Sequence, residues 1–375
     1  MRLLALAGDI DALIAQIRLV TPLSSLCAQH GHSLQLKSFH DCTRADLAAA
    51  DLLVVQRAAT PRALHLQQRM RARGGAVLYD IDDLLTEVPT HISNQTAVKQ
   101  RVAMLRQCLS NADTVSVSTA RLGHALGLSA ERFVVVPNHA WPLGDAALPS
   151  PRSEPGVTLL LASSDQLACE FLLPALRASN GWAGVRIVAV GPPAQAFLQA
   201  GIAVQPEPLM PRDRFIAFAR SLSNVVGVIP LEDSRFAACK SAVKWFDYAE
   251  AGIPTLCSNV SPYADVVTDG VDGGLVDNQS EAWGQALQAA IADADWRQRV
   301  TVAARLTVRA RFSQQHTVAA WQRALDAAMQ HRRTCLPPAP GMLWRTRDAM
   351  ESFFEATLFR LRALNRARLV RRSRR

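Results

Sequence analysis

No two of the seven cysteines stand in a CxxC pair. Cys27, Cys42, Cys108, Cys169, Cys239, Cys257 and Cys335 are odd in number and scattered. That spacing argues against a disulfide framework and a zinc cluster, and it fits a reducing cytoplasm. Long apolar runs are also missing. The opening MRLLALAGDIDALIAQ meets Asp9 too early to read as a signal peptide. The longest uncharged stretch, 187–206, is interrupted by Pro192, Pro193 and Pro206, so it cannot form an unbroken spanning helix. No internal repeat or low-complexity segment is visible.

The body of the chain carries no net charge either. From His331 onward there are twelve arginines against Asp348, Glu351 and Glu355, and this accounts for the whole formal charge of +9. Residues 1–330 are balanced, so nucleic-acid binding by the body is disfavoured for want of an electrostatic footprint. What is present is apolar material: 375 residues with 49% hydrophobic content suffice for two domains with their own cores.

Short apolar runs alternate with helical patterns. RLLALAG (2–8), LQLKSF (34–39), DLLVVQR (51–57), AVLYDIDD (76–83), TVSVST (114–119) and FVVVPN (133–138) have room between most of them for helices, for example over 61–72 and 96–110. Continuous apolar strands separated by crossover helices predict a parallel sheet covered on both faces. Residues 141–156, with Pro142, Pro149, Pro151 and Pro155, read as a linker. The rhythm restarts in VTLLLAS (157–163), VRIVAVG (185–191), NVVGVIPL (224–231), TLCS (255–258) and GLV (274–276), followed by long helices near 281–311 and 315–330. The expectation is an α/β protein of two tandem Rossmann-like, doubly wound domains, 1–140 and 157–330, with a basic helical tail over 331–375. Ligands of such sheets bind outside the carboxyl ends of the strands, here expected in a cleft between the domains.

One stretch carries chemistry. KSAVKWFDYAEAGIPTLCSN (240–259) reads as a helix, a Gly-Ile-Pro stop and a strand. Lys240, Lys244 and Asp247 fall at i, i+4 and i+7 and so share a stripe, while Ala242, Phe246 and Ala249 fall on another side. Either the stripe is a solvated face with a weak Lys–Asp pair, or two ammonium groups hold a diphosphate and the carboxylate accepts both hydroxyls of a ribose. Beyond the stop, Ser258 and Asn259 end a strand, beside a helix N-terminus expected near Ala264 whose N–H groups suit phosphate or sugar hydroxyls. Gly191, at the end of another strand of this domain, joins them as a donor contact.

The block KSAVKWFDYAEAGIPTLCSNVSPYADVVTDGVDGGLV resembles the nucleotide-sugar glycosyltransferases of the GT-B fold. The likeness is to family 4, glycosyltransferases group 1, and within it to members that build bacterial surface polysaccharides. IRLVTPLSSL, VLYDIDDLLTEVP, ADTVSVSTARLGHAL and VVVPN resemble the first domain of the same group, in the same order, so the resemblance covers roughly 1–325. It implies transfer from a nucleoside-diphosphate sugar, as co-substrate, with retention of configuration and without a metal or other cofactor. The family uses a Glu-x7-Glu pair. Its second member, which holds the ribose, falls at Asp247; its first, at the donor sugar, falls at Cys239, which cannot replace a carboxylate. The Arg and Lys that the family often places after the first strand of the donor domain are missing from LLLASSDQLACEFLLP. Phosphate binding is therefore assigned to Lys240 and Lys244, as the groups that meet the leaving diphosphate.

The acids of DIDD (80–83) have three readings: a metal site, which is disfavoured because few further ligands are nearby; strand-end acceptors of backbone N–H groups; or Asp82 and Asp83 as catalytic-side contacts to sugar or acceptor. His91 is a candidate near the donor sugar, as family members often place a His there. Arg57, with Asp80, is a candidate for the acceptor side, with a structural ion pair as the other reading of Arg57. In the tail, Met350, Phe354, Leu358 and Leu361 form a helical stripe flanked by Arg. It suits either an anionic membrane surface or packing back onto the first domain. The first fits a peripheral enzyme at the inner face of the plasma membrane with a lipid-linked saccharide acceptor. The departures at Cys239 and in the phosphate residues also suit a rival reading, a non-catalytic nucleotide-sugar-binding subunit.

Overall fold

The computed structural model describes residues 1–89, 95–141, 143, 156–163, 170–179 and 181–332. His91, most of the Pro-rich linker and the tail beyond Arg332 lie outside them. Two six-stranded sheets form. The strands are β1 (Arg2–Ala7), β2 (Ser33–Ser38), β3 (Leu52–Gln56), β4 (Ala76–Ile81), β5 (Thr114–Val117), β6 (Phe133–Val135), β7 (Val157–Ala162), β8 (Val185–Val190), β9 (Gln205–Glu207), β10 (Val225–Ile229), β11 (Thr255–Ser258) and β12 (Gly274–Val276). The first sheet runs β2-β1-β3-β4-β5-β6 and the second β12-β11-β10-β7-β8-β9. Neighbours pair in parallel, for example Leu3 with Leu34 and Leu52, and Leu159 with Ile187 and Val226. This is the doubly wound pattern that the apolar runs predict, and the central strands β3, β4 and β10 are buried along their whole length.

Two features were not legible. Strand β9 is three residues at a sheet edge with Pro206 at its centre and two exposed positions. Pro is tolerated there because an edge strand leaves one row of N–H groups unpaired. The long helix expected over 281–311 is two helices, Ser280–Ala292 and Ala294–Arg311. Asp293 breaks it by capping the second, its carboxylate accepting from the Trp296 N–H at 2.7 Å.

By packing, the described chain divides into two compact units: residues 1–81, 100–116 and 323–332 in one, and 82–89, 95–99 and 117–322 in the other. The first unit buries an ionic cluster among its strands. Arg18, fully enclosed in a wide π-turn at Gln16–Val20, meets Asp80 through two separate bonds, Nη2 to Oδ1 at 2.6 Å and Nε to Oδ2 at 3.3 Å. Ser116 Oγ and Gln56 Nε2 complete the carboxylate shell. The second unit is built around the Val243–Ala251 helix, buried from Trp245 to Ala251. Its Glu250 accepts from Arg309 at 2.9 Å and lies 3.5 Å from Arg305, which ties it to the Ala294–Arg311 helix. Among the described residues, no helix is long and apolar enough to cross a membrane.

Candidate functional site

All the expected donor residues lie in the second unit, but not on one continuous helix. A short helix, Arg235–Ala238, is capped by Ser234 and ends at Cys239. The chain then turns, and the next helix begins at Val243 behind Ala242. Lys240 therefore precedes the helix, and only Lys244 and Asp247 keep the i, i+3 relation of one helical face. The break has partners from elsewhere in the unit: Thr119 Oγ1 donates to the Cys239 carbonyl at 3.1 Å, and Asn138 Nδ2 donates to Ser241 Oγ at 2.8 Å. Lys240 is half-buried, its Nζ 5.0 Å from the centre of the Phe236 ring. Lys244 is likewise half-buried. Phe246, Ala242 and Ala249 go into the core as expected.

Asp247 is enclosed by Arg212, whose Nε and Nη2 both donate to Oδ1, at 2.8 and 2.5 Å. Burial pushes the carboxyl above the usual carboxylate range, and the guanidinium opposes that shift. Arg212 is held in turn by the His139 carbonyl, 3.0 Å from Nη2, and lies 5.7 Å from the centre of the Trp141 ring. Residues 137–141 thus form a strap across this unit. Besides the Asn138, His139 and Trp141 contacts, Thr317 Oγ1 donates to the Pro137 carbonyl and the Ala140 N–H donates to the Phe312 carbonyl. Sequence reasoning overlooked Arg212. No fixed spacing links residues 35 positions apart.

The carboxyl ends of the second sheet hold the remaining donor candidates. Gly191 follows β8 at φ +86°, and a side-chain carbon there would stand 2.3 Å from the Ser163 carbonyl oxygen. Only glycine allows the two strand ends to approach this closely. Ser258 is fully buried, and its hydroxyl accepts from the Leu231 N–H at 2.8 Å, joining the ends of β10 and β11. Asn259 is exposed and donates to Asp277 at 2.9 Å. Gly252 stops the Val243–Ala251 helix in the left-handed region, at φ +80°. The helix N-terminus expected near Ala264 does not form. Residues 261–266 are successive turns, with the Ala264 N–H bonded to the Val260 carbonyl. No helix end therefore offers its N–H groups to an anion at that position.

Cys239 is a fully buried free thiol. Burial raises its pKa, so it stays neutral near pH 7. Asp83 and Glu87 lie close enough to add to that shift. Glu87 is paired with Arg235 at 2.8 Å. Asp82 is buried, with its backbone carbonyl accepting from Ser118 Oγ at 2.9 Å. The DIDD acids thus divide: Asp82 and Asp83 belong to the second unit, while Asp80 lies in the core of the first. Its carboxylate is filled by Arg18, Gln56 and Ser116, which leaves no place for an acceptor. Arg57 ends β3 at φ +52°, half-buried, its N–H donating to the Asp80 carbonyl.

Comparison with family models and with curated protein sequences finds no match. Comparison with solved structures does. The sucrose-phosphate synthase of Thermosynechococcus elongatus matches 88% of this chain and 100% of its own, at 17% identity and TM-score 0.63. Anabaena HepE in complex with UDP-glucose matches 88% and 100%, at 16% identity and TM-score 0.58. S. aureus MnaA with UDP matches 91% and 100%, at 11% identity and TM-score 0.54. These likenesses establish the fold: the chain has a two-domain α/β architecture of the GT-B type.

Proposed function

We propose that this chain is a glycosyltransferase that takes its sugar from a nucleoside-diphosphate sugar. The observation that carries the reading is the Val243–Ala251 helix, with Lys244 and the partly accessible carboxylate of Asp247 one turn apart on one face. Likeness in fold to structures holding UDP and UDP-glucose supports it. In this reading Asp247 accepts from the ribose hydroxyls, and Lys240 and Lys244 meet the diphosphate. Gly191 and Asn259 line the donor, with Ser258 fixing the strand ends beneath. Negative charge grows on the leaving diphosphate as the glycosidic bond breaks. Fixed cations beside that oxygen therefore stabilise the transition state more than the ground state, and no metal ion is required for it.

The finer assignments extend this reading. The sugar is transferred with retention to a saccharide acceptor, lipid-linked, in the synthesis of a surface polysaccharide. Asp82 and Asp83 contact the donor sugar or acceptor, and Arg57 an anionic acceptor group; Asp80 is left out. His91 and the membrane-binding tail, 331–375, complete the proposal from sequence. One observation favours the alternative of a binding subunit without turnover: the first position of the acidic pair is a neutral, buried thiol at Cys239.

The experiment is a panel of nucleotide sugars offered to the purified protein with a lipid extract as acceptor. Release of the nucleoside diphosphate from one donor, abolished by Lys244→Ala, supports the transferase. Tight binding of a donor with no release across the panel favours the binding subunit.

A further inference from the structure

Arg212 is a buried cation for which the family resemblance assigns no role. Its geometry differs from that of another buried arginine–aspartate pair, Arg18 with Asp80. Arg18 meets Asp80 as a fork, one donor to each carboxylate oxygen. That arrangement satisfies both oxygens and suits a purely structural pair. Arg212 instead sends Nε and Nη2 to a single oxygen, Asp247 Oδ1. Among the described residues, Oδ2 receives no hydrogen bond, and it is not among the enclosed atoms lacking a partner. The acid is also the outer member of the pair, its side chain 10% exposed against 3% for the arginine.

Two bonds to one oxygen fix the carboxylate plane and leave the lone pairs of the other oxygen outward. A carboxylate so held accepts from adjacent hydroxyls without first losing rotational freedom. The guanidinium is itself fixed by the His139 carbonyl and the Trp141 ring, so the orientation is set by the strap rather than by solvent. An aspartate has fewer rotatable bonds than a glutamate, which makes a backing group of this kind effective.

We infer that Arg212 is a positioning residue that turns Asp247 Oδ2 toward the vicinal diol of a ribose, so that the site selects ribonucleoside diphosphates over their 2′-deoxy counterparts. The inference rests on the nucleotide reading above and adds its specificity.

The test is calorimetric titration with UDP and 2′-deoxy-UDP, or with the ADP, GDP or CDP pair if UDP is not bound. The wild type, Arg212→Lys, Arg212→Gln and Asp247→Asn are compared, each checked for an intact thermal transition. The wild type should prefer the ribonucleotide by roughly 10- to 100-fold, as expected for losing one hydrogen bond to a charged group. Arg212→Gln and Asp247→Asn should reduce the preference to about 3-fold or less, weakening UDP more than 2′-deoxy-UDP, which keeps only its 3′-hydroxyl for the carboxylate, and Arg212→Lys should fall between. If Arg212→Gln does not fold, the Lys variant against wild type gives the same comparison. A preference unchanged in the Arg212 variants, or an equal loss for both nucleotides, overturns the inference and leaves nucleotide binding standing. Failure of all four nucleoside diphosphates to bind the wild type removes the nucleotide reading itself.

Discussion

The side-chain amide of Asn138 donates to Ser241 Oγ at 2.8 Å, joining the 137–141 strap to the turn that carries Lys240. The pair spans 103 positions of sequence and holds that turn where a helix would otherwise continue. A double-mutant cycle of Asn138→Ala and Ser241→Ala, read by urea unfolding, should give a coupling of about 0.5–1.5 kcal/mol. Additive single effects would show that the bond contributes nothing to the turn.

Gly191 brings a second constraint. At φ +86°, with the Ser163 carbonyl 2.3 Å from any added carbon, Gly191→Ala must both strain the backbone and push two strand ends apart. A cost of about 1–3 kcal/mol is expected from the conformation alone, and a fall of at least about 3 °C in melting temperature. A variant that melts with the wild type would mean that the strand ends separate freely.

These constraints explain which parts of the molecule were legible in sequence. The parallel sheets were, because runs such as RLLALA and VTLLLA are buried on both faces and so need no alternation. The Val243–Ala251 helix and its stop at Gly252 were, because local period and a glycine cap define them. The turn at 239–242 was not, for it contains no Gly or Pro, and its partners Thr119 and Asn138 are remote in sequence. Nor was the pairing of Asp247 with Arg212, or of Asp80 with Arg18, since long-range ion pairs leave no periodic trace. The same blindness made Asp80 look available to an acceptor.

The Arg18–Asp80 pair has no exposed side-chain surface on either partner. Arg18→Met would leave a buried carboxylate without its counter-charge, at a cost of about 3–5 kcal/mol. The double variant Arg18→Met/Asp80→Leu should recover part of that, because burying two apolar groups avoids the unpaired charge. Chemical denaturation measures both. A double variant less stable than the single would contradict the assignment of this pair as structural.

Acid stability has a sign that follows from two carboxylates. Lys37, with Thr43 and Gln35, holds Asp46 well below the usual carboxylate range. Arg2 lowers Asp51 to about 2. Both take up a proton more readily in the unfolded chain, so their stabilisation is complete above about pH 4 and fades as pH falls toward the depressed folded values. Asp247, raised by burial, acts in the opposite direction and makes folding more favourable on protonation. Urea midpoints measured from pH 6 down to pH 2 should decline, and Asp46→Asn should flatten the decline. Parallel curves for the two proteins would remove Asp46 from the account.

The central claim is that the ammonium groups of Lys240 and Lys244 receive a diphosphate beside the ribose site of Asp247. Titration of UDP and of uridine into the wild type and Lys244→Ala separates the phosphates from the nucleoside. The account predicts that Lys244→Ala weakens UDP by roughly 10-fold or more, the value of a charge-assisted hydrogen bond, and leaves uridine unchanged. Equal UDP affinity in the two proteins would contradict it.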